Sequence, residues 1–175
     1  MNEKLAAVSK LHHRPLADIF RIMKEAVRLG LTGGKEPDNA IIGLADDGLH
    51  TITIARDATK KDKLEAVIAA ARVFREFSCR AFVKTTFLKI TEGAIEKLDL
   101  SKALIGRDVV TLAVGTANEG GMMECFLINR EENGNVWFSE NLFPCSDITD
   151  PKHPIVRLAH GDPFSEVEIE KPTLH

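Results

Sequence analysis

The sequence predicts an α+β fold: a mostly antiparallel sheet of about five to six strands, with two main helices packed on it and an irregular C-terminal tail. Two segments repeat apolar residues with the period of a helix, and several others are rich in β-branched and aromatic residues and separated by turns. Of the 175 residues, 44% are hydrophobic and 28% charged. This composition is typical of one globular domain, predicted to span 1–175, with a core at 1–143 and a tail at 144–175.

The first main helix is predicted at 15–30, because Pro15 favours a helix start, Gly30 favours an end, and the apolar residues between them lie on one side. Leu5, Val8 and Leu11 indicate a shorter helical turn before it. The adjacent His12 and His13 are predicted to lie in the exposed turn that precedes this helix, since neighbouring histidines on a helix or strand present poorly to one ion.

A hairpin is predicted next, with strands at 41–45 and 49–55 around Asp46, Asp47 and Gly48. The second main helix is predicted at 59–77. Thr59 and Asp62 have the spacing of a capping box, and one side of the helix is apolar. Both helices are expected on one face of the sheet. The strands on either side of the second helix are expected to form a parallel pair.

A further strand is predicted at 79–90, and the pattern at 91–107 is ambiguous apart from a possible helix cap at Thr91. An antiparallel meander follows, with strands at 108–116, 122–130 and 136–140 joined by Gly-containing turns. Alternation places Val110, Leu112 and Val114 together, and likewise Met123, Cys125 and Leu127, which predicts one buried side of this sheet. The tail holds five of the seven prolines and shows no convincing period.

Charge and cysteine content exclude some classes of protein. The 23 Lys+Arg against 26 Asp+Glu give a net charge of −3, too balanced for a general nucleic-acid or membrane coat. Residues 1–14 have no apolar core typical of a secretory signal, and no apolar run is long enough to span a bilayer. Cys79, Cys125 and Cys145 are widely spaced, which favours reduced thiols without a visible activating base. We therefore expect a cytoplasmic protein with no membrane contact.

Two further patterns bear on cofactors. The glycine-rich residues 115–121 lack the Lys and Ser/Thr of a phosphate-binding loop, so no cofactor is predicted. The alternative is a metal site in the tail, where residue types that bind zinc are dense. Its candidate ligands are Cys145, Asp147, Asp150, His153, His160 and Asp162. Their spacing matches no known zinc motif, and a proline-rich polar loop collects such residues without a metal.

A basic stripe is the second alternative. It would comprise Lys60, Lys61, Lys63, Arg72, Arg75, Arg80 and Lys84, with Phe82 or Phe87 available to stack on bases. Acidic residues interrupt the helix face, so solvated pairs between residues four apart are the simpler explanation, and a nucleic-acid partner is not favoured.

Protein contact is the leading functional hypothesis. Trp137, Phe138 and Phe143 cluster at the end of the meander, and alternation exposes one of the first two. Residues 131–175, which include the tail, carry 3 basic and 9 acidic residues, whereas 56–102 carries 11 basic and 7 acidic. The tail could therefore dock on its own chain or be exchanged with a second copy. The sequence thus predicts a binding or assembly module that forms a homodimer, with a small metal-dependent hydrolase and a nucleic-acid accessory protein as alternatives.

Overall fold

The computed structural model describes residues 10–34, 36–142, 146–148 and 153–159. The helices are α1 (Leu16–Leu31), α2 (Lys60–Glu76), α3 (Glu92–Leu98) and α4 (Pro154–Ala159), with 3₁₀ turns at Leu11–His13 and Lys102–Leu104. The strands are β1 (Asn39–Ala45), β2 (Gly48–Ile54), β3 (Ala81–Lys89), β4 (Asp108–Thr116), β5 (Gly120–Arg130), β6 (Val136–Phe138) and β7 (Ser146–Ile148). The predicted α+β fold is confirmed.

The sheet has the order β2-β1-β3-β4-β5-β6, and every pair is antiparallel. Strand β7 pairs with β5 at Gly121–Met123, away from β6, which pairs at Ile128–Arg130. The predicted parallel pair of β2 and β3 is wrong. Both strands run in the same direction, but β1 lies between them and is antiparallel to each, because the tight Asp46–Asp47 turn pairs β1 with β2 first.

Helices cover both faces of the sheet, so the prediction that α1 and α2 share one face is wrong. On the α1 face, Phe20 packs with Val83 and Leu112, among others. On the α2 face, Phe74 packs with Phe82 and residues of α4. In a third cluster, α3 packs against Val109 of β4 and Cys125 of β5. These two residues lie on the α2 face, so α3 covers a further part of that face.

The register of β4 and β5 explains why the prediction of a single helix-covered face was wrong. Leu112 lies opposite Glu124, and Val110 lies opposite Phe126, so these four residues share the α1 face. Met123 and Cys125 therefore point to the α2 face. The set with Val110 and Leu112 is therefore buried on the α1 face, and the set with Met123 and Cys125 on the α2 face. Both faces can be buried because apolar residues occur at odd and at even positions of these strands.

Two glycines let helices approach the α2 face closely. Gly43 and Gly115 lie on either side of Phe82 in one row across the sheet. A Cβ atom at Gly115 would overlap Ile155 Cγ2, and one at Gly43 would lie 2.7 Å from Phe74 Cδ1. The predicted irregular tail thus contains two regular elements, β7 and α4, and α4 is held by a site that only glycine leaves open.

Candidate ligand-binding cleft

A cleft of about 480 Å³ lies between the first turns of α2 and the sheet. That volume is in the range of small-molecule sites. Strands β1 to β3 and helix α2 all contribute to its walls, which are lined by Asn39, Ile54, Lys60, Lys63, Leu64, Val67, Lys84 and Thr86. Three lysines and three apolar side chains therefore surround one space.

The start of α2 fixes the two helical lysines. Thr59 Oγ1 accepts a hydrogen bond from Asp62 N at 3.2 Å, and Asp62 Oδ2 accepts one from Thr59 N at 2.8 Å, so the predicted capping box is confirmed. Lys60 and Lys63 consequently fall in the first turn. Positive side chains are unfavourable there, since the N-terminus of a helix carries partial positive charge.

Lys84 enters the cleft from β3, whose alternation points it to the α2 face beside Phe82. Burial lowers the pKa of Lys84, and the nearby charge of Lys63 lowers this pKa further. In the described part of the chain, no ion pair includes Lys60, Lys63 or Lys84. The cleft therefore concentrates positive charge, and no carboxylate among the described residues neutralises it.

The floor of the cleft is apolar. Ile54 and Val67 are buried, and Leu64 is half-buried between them and solvent. Asn39 Oδ1 accepts a hydrogen bond from Phe87 N at 2.7 Å, which ties β1 to β3 behind the cleft. The arrangement suits a ligand that combines an anionic group with an apolar body.

The basic residues of the predicted stripe do not all line one site. Lys61 pairs with Glu65 outside the cleft, and Arg75 lines a separate cavity of about 310 Å³ at the other end of α2. Phe82 and Phe87 are buried on opposite faces of the sheet, so neither is available to stack on a base. Arg72 and Arg80 are exposed.

The predicted aromatic surface is present in part. Trp137 is 50% exposed on β6, whereas Phe138 is half-buried and stacks on Phe126 with ring centroids 5.6 Å apart. Both residues line a shallow groove beside α1, which also includes Leu29 at 56% exposure. Phe143 lies outside the described residues.

Most of the predicted tail metal site also lies outside the described residues, namely Cys145, Asp150, His160 and Asp162. Asp147 belongs to β7, where it pairs with Met122. His153 precedes α4, and its Nδ1 accepts a hydrogen bond from Ile155 N at 3.3 Å. The hypothesis of a six-residue ligand group therefore stays untested, with His153 placed as a cap of α4.

The cysteines within the described residues show no sign of activation. Cys79 and Cys125 are free. Burial raises the pKa of the Cys79 thiol to about 11, with a further contribution from Asp47, and burial raises the pKa of Cys125. A thiol with a raised pKa is a poor nucleophile at neutral pH.

His12 and His13 are the residues that the sequence interpretation placed least well. His13 is 54% exposed, but the side chain of His12 is fully buried, so the prediction of an exposed turn is wrong for His12. Both rings approach Asp46, in the turn between β1 and β2. The 3₁₀ turn at Leu11–His13 produces this arrangement, which neither a regular helix nor a strand would allow.

Comparison with known proteins finds no family model, curated protein or solved structure that matches the chain. Among the described residues, no helix is long and apolar enough to cross a membrane.

Proposed function

We propose that this protein is a binding module whose cleft between α2 and the sheet takes a small ligand with an anionic group and an apolar body. The observation that carries the proposal is Lys84, which is partly buried beside Lys63 and has no acidic partner among the described residues. An anion in the cleft would supply the missing negative charge, and Ile54, Leu64 and Val67 would contact the apolar part.

The site favours a small ligand over a nucleic acid. The lysines converge on a cleft instead of following a phosphate backbone, and the aromatic residues next to them are buried. The protein is proposed to act in the cytoplasm, which the free thiols of Cys79 and Cys125 support.

Binding of 8-anilinonaphthalene-1-sulfonate, an apolar molecule with one sulfonate, tests the proposal. Lys84→Met should weaken binding about tenfold or more, since a charge-assisted contact contributes about 1.5–3 kcal/mol. Fluorescence titration measures the dissociation constant. Lys61→Met is the matched control, because Lys61 is exposed and pairs with Glu65. N-phenyl-1-naphthylamine, which lacks the sulfonate, should bind both variants equally. Equal sulfonate binding by wild type and Lys84→Met would contradict the proposal.

The same substitution should stabilise the ligand-free protein. A lysine whose pKa is lowered in the folded state disfavours folding while it is protonated in the unfolded state. Lys84→Met should therefore raise the melting temperature at pH 7. The difference from wild type should shrink as pH rises through the alkaline range, where the unfolded lysine also loses its proton. A melting temperature lowered at pH 7 would show that Lys84 has a structural role instead.

Self-association through the groove between α1 and β6 is a second proposed function. Trp137 and Leu29 are both about half exposed on this groove, and β6 is a short strand at the edge of the sheet. Strand β7 pairs with β5, and α4 packs on the α2 face, so this groove is proposed as the interface in place of an exchanged tail.

Sedimentation equilibrium tests the dimer. Replacing Trp137 and Leu29 together with serine should raise the dimer dissociation constant at least about tenfold, because aromatic anchors at an interface contribute about 2 kcal/mol or more. Leu88→Ser is the control, since Leu88 is equally exposed at a distant position on β3. A wild-type chain that remains monomeric at high concentration would refute this proposal.

A further inference from the structure

Three residues that could bind a metal ion, His12, His13 and Asp46, lie close together outside the cleft between α2 and the sheet. His12 and His13 come from the 3₁₀ turn before α1, and Asp46 comes from the turn between β1 and β2. One ligand atom from each of the three lies within 4.8 Å of the others. Folding thus joins two segments that are more than thirty residues apart in the sequence.

The distances fit a shared ion. His12 Nε2 lies 2.9 Å from Asp46 Oδ1, and His13 Nε2 lies 3.4 Å from the same oxygen. Two ligand atoms on one ion, each at about 2.1 Å and separated by about 90–110°, lie roughly 3.0–3.4 Å apart. The side chains of His13 and Asp46 are exposed, so both can move to bring the two histidine nitrogens to one ion.

His12 supplies an independent observation. Its side chain is fully buried, and within the described residues neither Nδ1 nor Nε2 has a hydrogen-bond partner, because the contact with Asp46 lacks hydrogen-bond geometry. A buried imidazole without partners is unfavourable, since the ring nitrogens lose their contacts with water and gain none in return. A bound metal ion would satisfy the nitrogen that faces Asp46.

The residue types define the class of ion. Two imidazoles and one carboxylate form the three-ligand set of many zinc sites that keep a coordination position open. A hard ion such as Mg²⁺ prefers oxygen ligands, so the set favours a borderline transition metal.

The space beside the ligands is polar. His12 and His13 line a cavity of about 380 Å³, together with Arg80, Thr116 and Glu119. Glu119 is held in place because both of its carboxylate oxygens accept a hydrogen bond from Leu16 N at 3.2 Å, at the start of α1. A ligand on the open coordination position would enter this cavity.

We propose that His12, His13 and Asp46 bind one zinc-class divalent cation, which joins the turn before α1 to the β1–β2 hairpin and leaves a coordination position open to the cavity.

Zinc titration of the full chain, purified without a histidine tag and treated with a chelator, tests this proposal. Calorimetry should find one Zn²⁺ per chain. His13→Ala and Asp46→Asn should each weaken binding at least about tenfold, as expected for loss of a direct ligand. Both residues are exposed, so these variants should keep the wild-type circular dichroism spectrum. At the same concentration, zinc should raise the melting temperature of the wild type more than that of these variants.

The adjacent aspartate gives a matched control. Asp47→Asn changes the same turn, but Asp47 pairs with His50 at 2.8 Å and does not belong to the ligand group, so the zinc affinity of this variant should equal that of the wild type. The double variant His153→Ala/His160→Ala should also bind zinc normally. Less than one zinc per chain, wild-type affinity in His13→Ala, or loss of zinc in the tail variant alone would each overturn the proposal.

Discussion

Val67→Asp should unfold the protein or reduce its free energy of unfolding by at least about 3 kcal/mol, because it removes a buried apolar side chain and moves a carboxylate out of water into an apolar cluster, a cost that the lysines of the cleft offset only in part. Val67 is buried between α2 and the sheet, in the cluster that includes Phe74 and Phe82. The whole stability of a domain is about 5–15 kcal/mol, so this loss is a large part of it. Circular dichroism and thermal unfolding measure the effect.

Glu65→Ala is the control for this prediction. Glu65 is exposed on the opposite side of α2 and pairs with Lys61 at 3.7 Å. Loss of one such pair should change stability by only a few tenths of a kcal/mol. If the two substitutions had equal effects, the assignment of the buried side of α2 would be wrong.

Ile155→Ala should reduce the free energy of unfolding by about 3 kcal/mol, although Ile155 lies in the segment predicted to be irregular. Its side chain is fully buried and packs above Gly115 on the α2 face. Truncating a buried isoleucine removes apolar contacts and leaves a cavity. Chemical denaturation, monitored by circular dichroism, measures the change.

A graded pair of variants checks this assignment. Ile155→Val removes one methylene and should reduce stability by about 1 kcal/mol. Gly115→Ala should also destabilise the protein, because its Cβ would overlap Ile155 unless α4 moves. Stability unchanged by Ile155→Ala would show that α4 does not belong to the folded core.

The position of α4 also determines how self-association should be tested. A chain ended after Phe143 would lose β7 and α4 and expose the apolar residues beneath α4. Aggregation of such a chain would report loss of the core as much as loss of an interface. Substitutions at Trp137 and Leu29 avoid this ambiguity, because both side chains are exposed.

The local elements of this fold were predictable from the sequence. The helix predicted at 15–30 is observed at Leu16–Leu31, and the helix predicted at 59–77 is observed at Lys60–Glu76. Both have an apolar period and a defined start, which are properties of neighbouring residues. The hairpin of β1 and β2 was predictable for the same reason, since its turn lies within a few residues of both strands.

Tertiary structure alone decided which face each helix covers and which distant side chains meet. The meander has apolar residues at both strand parities, so alternation could not reveal that β4 and β5 are buried on two sides. Similarly, α4 depends on the space above Gly115, and the positions of Lys84 and Asp46 depend on the order of the strands. The sequence by itself determined where α1 and α2 begin and end, because backbone propensity and capping act over a few residues. The lysine cleft and the histidine–aspartate cluster required the fold, because both join residues that only long-range pairing brings together.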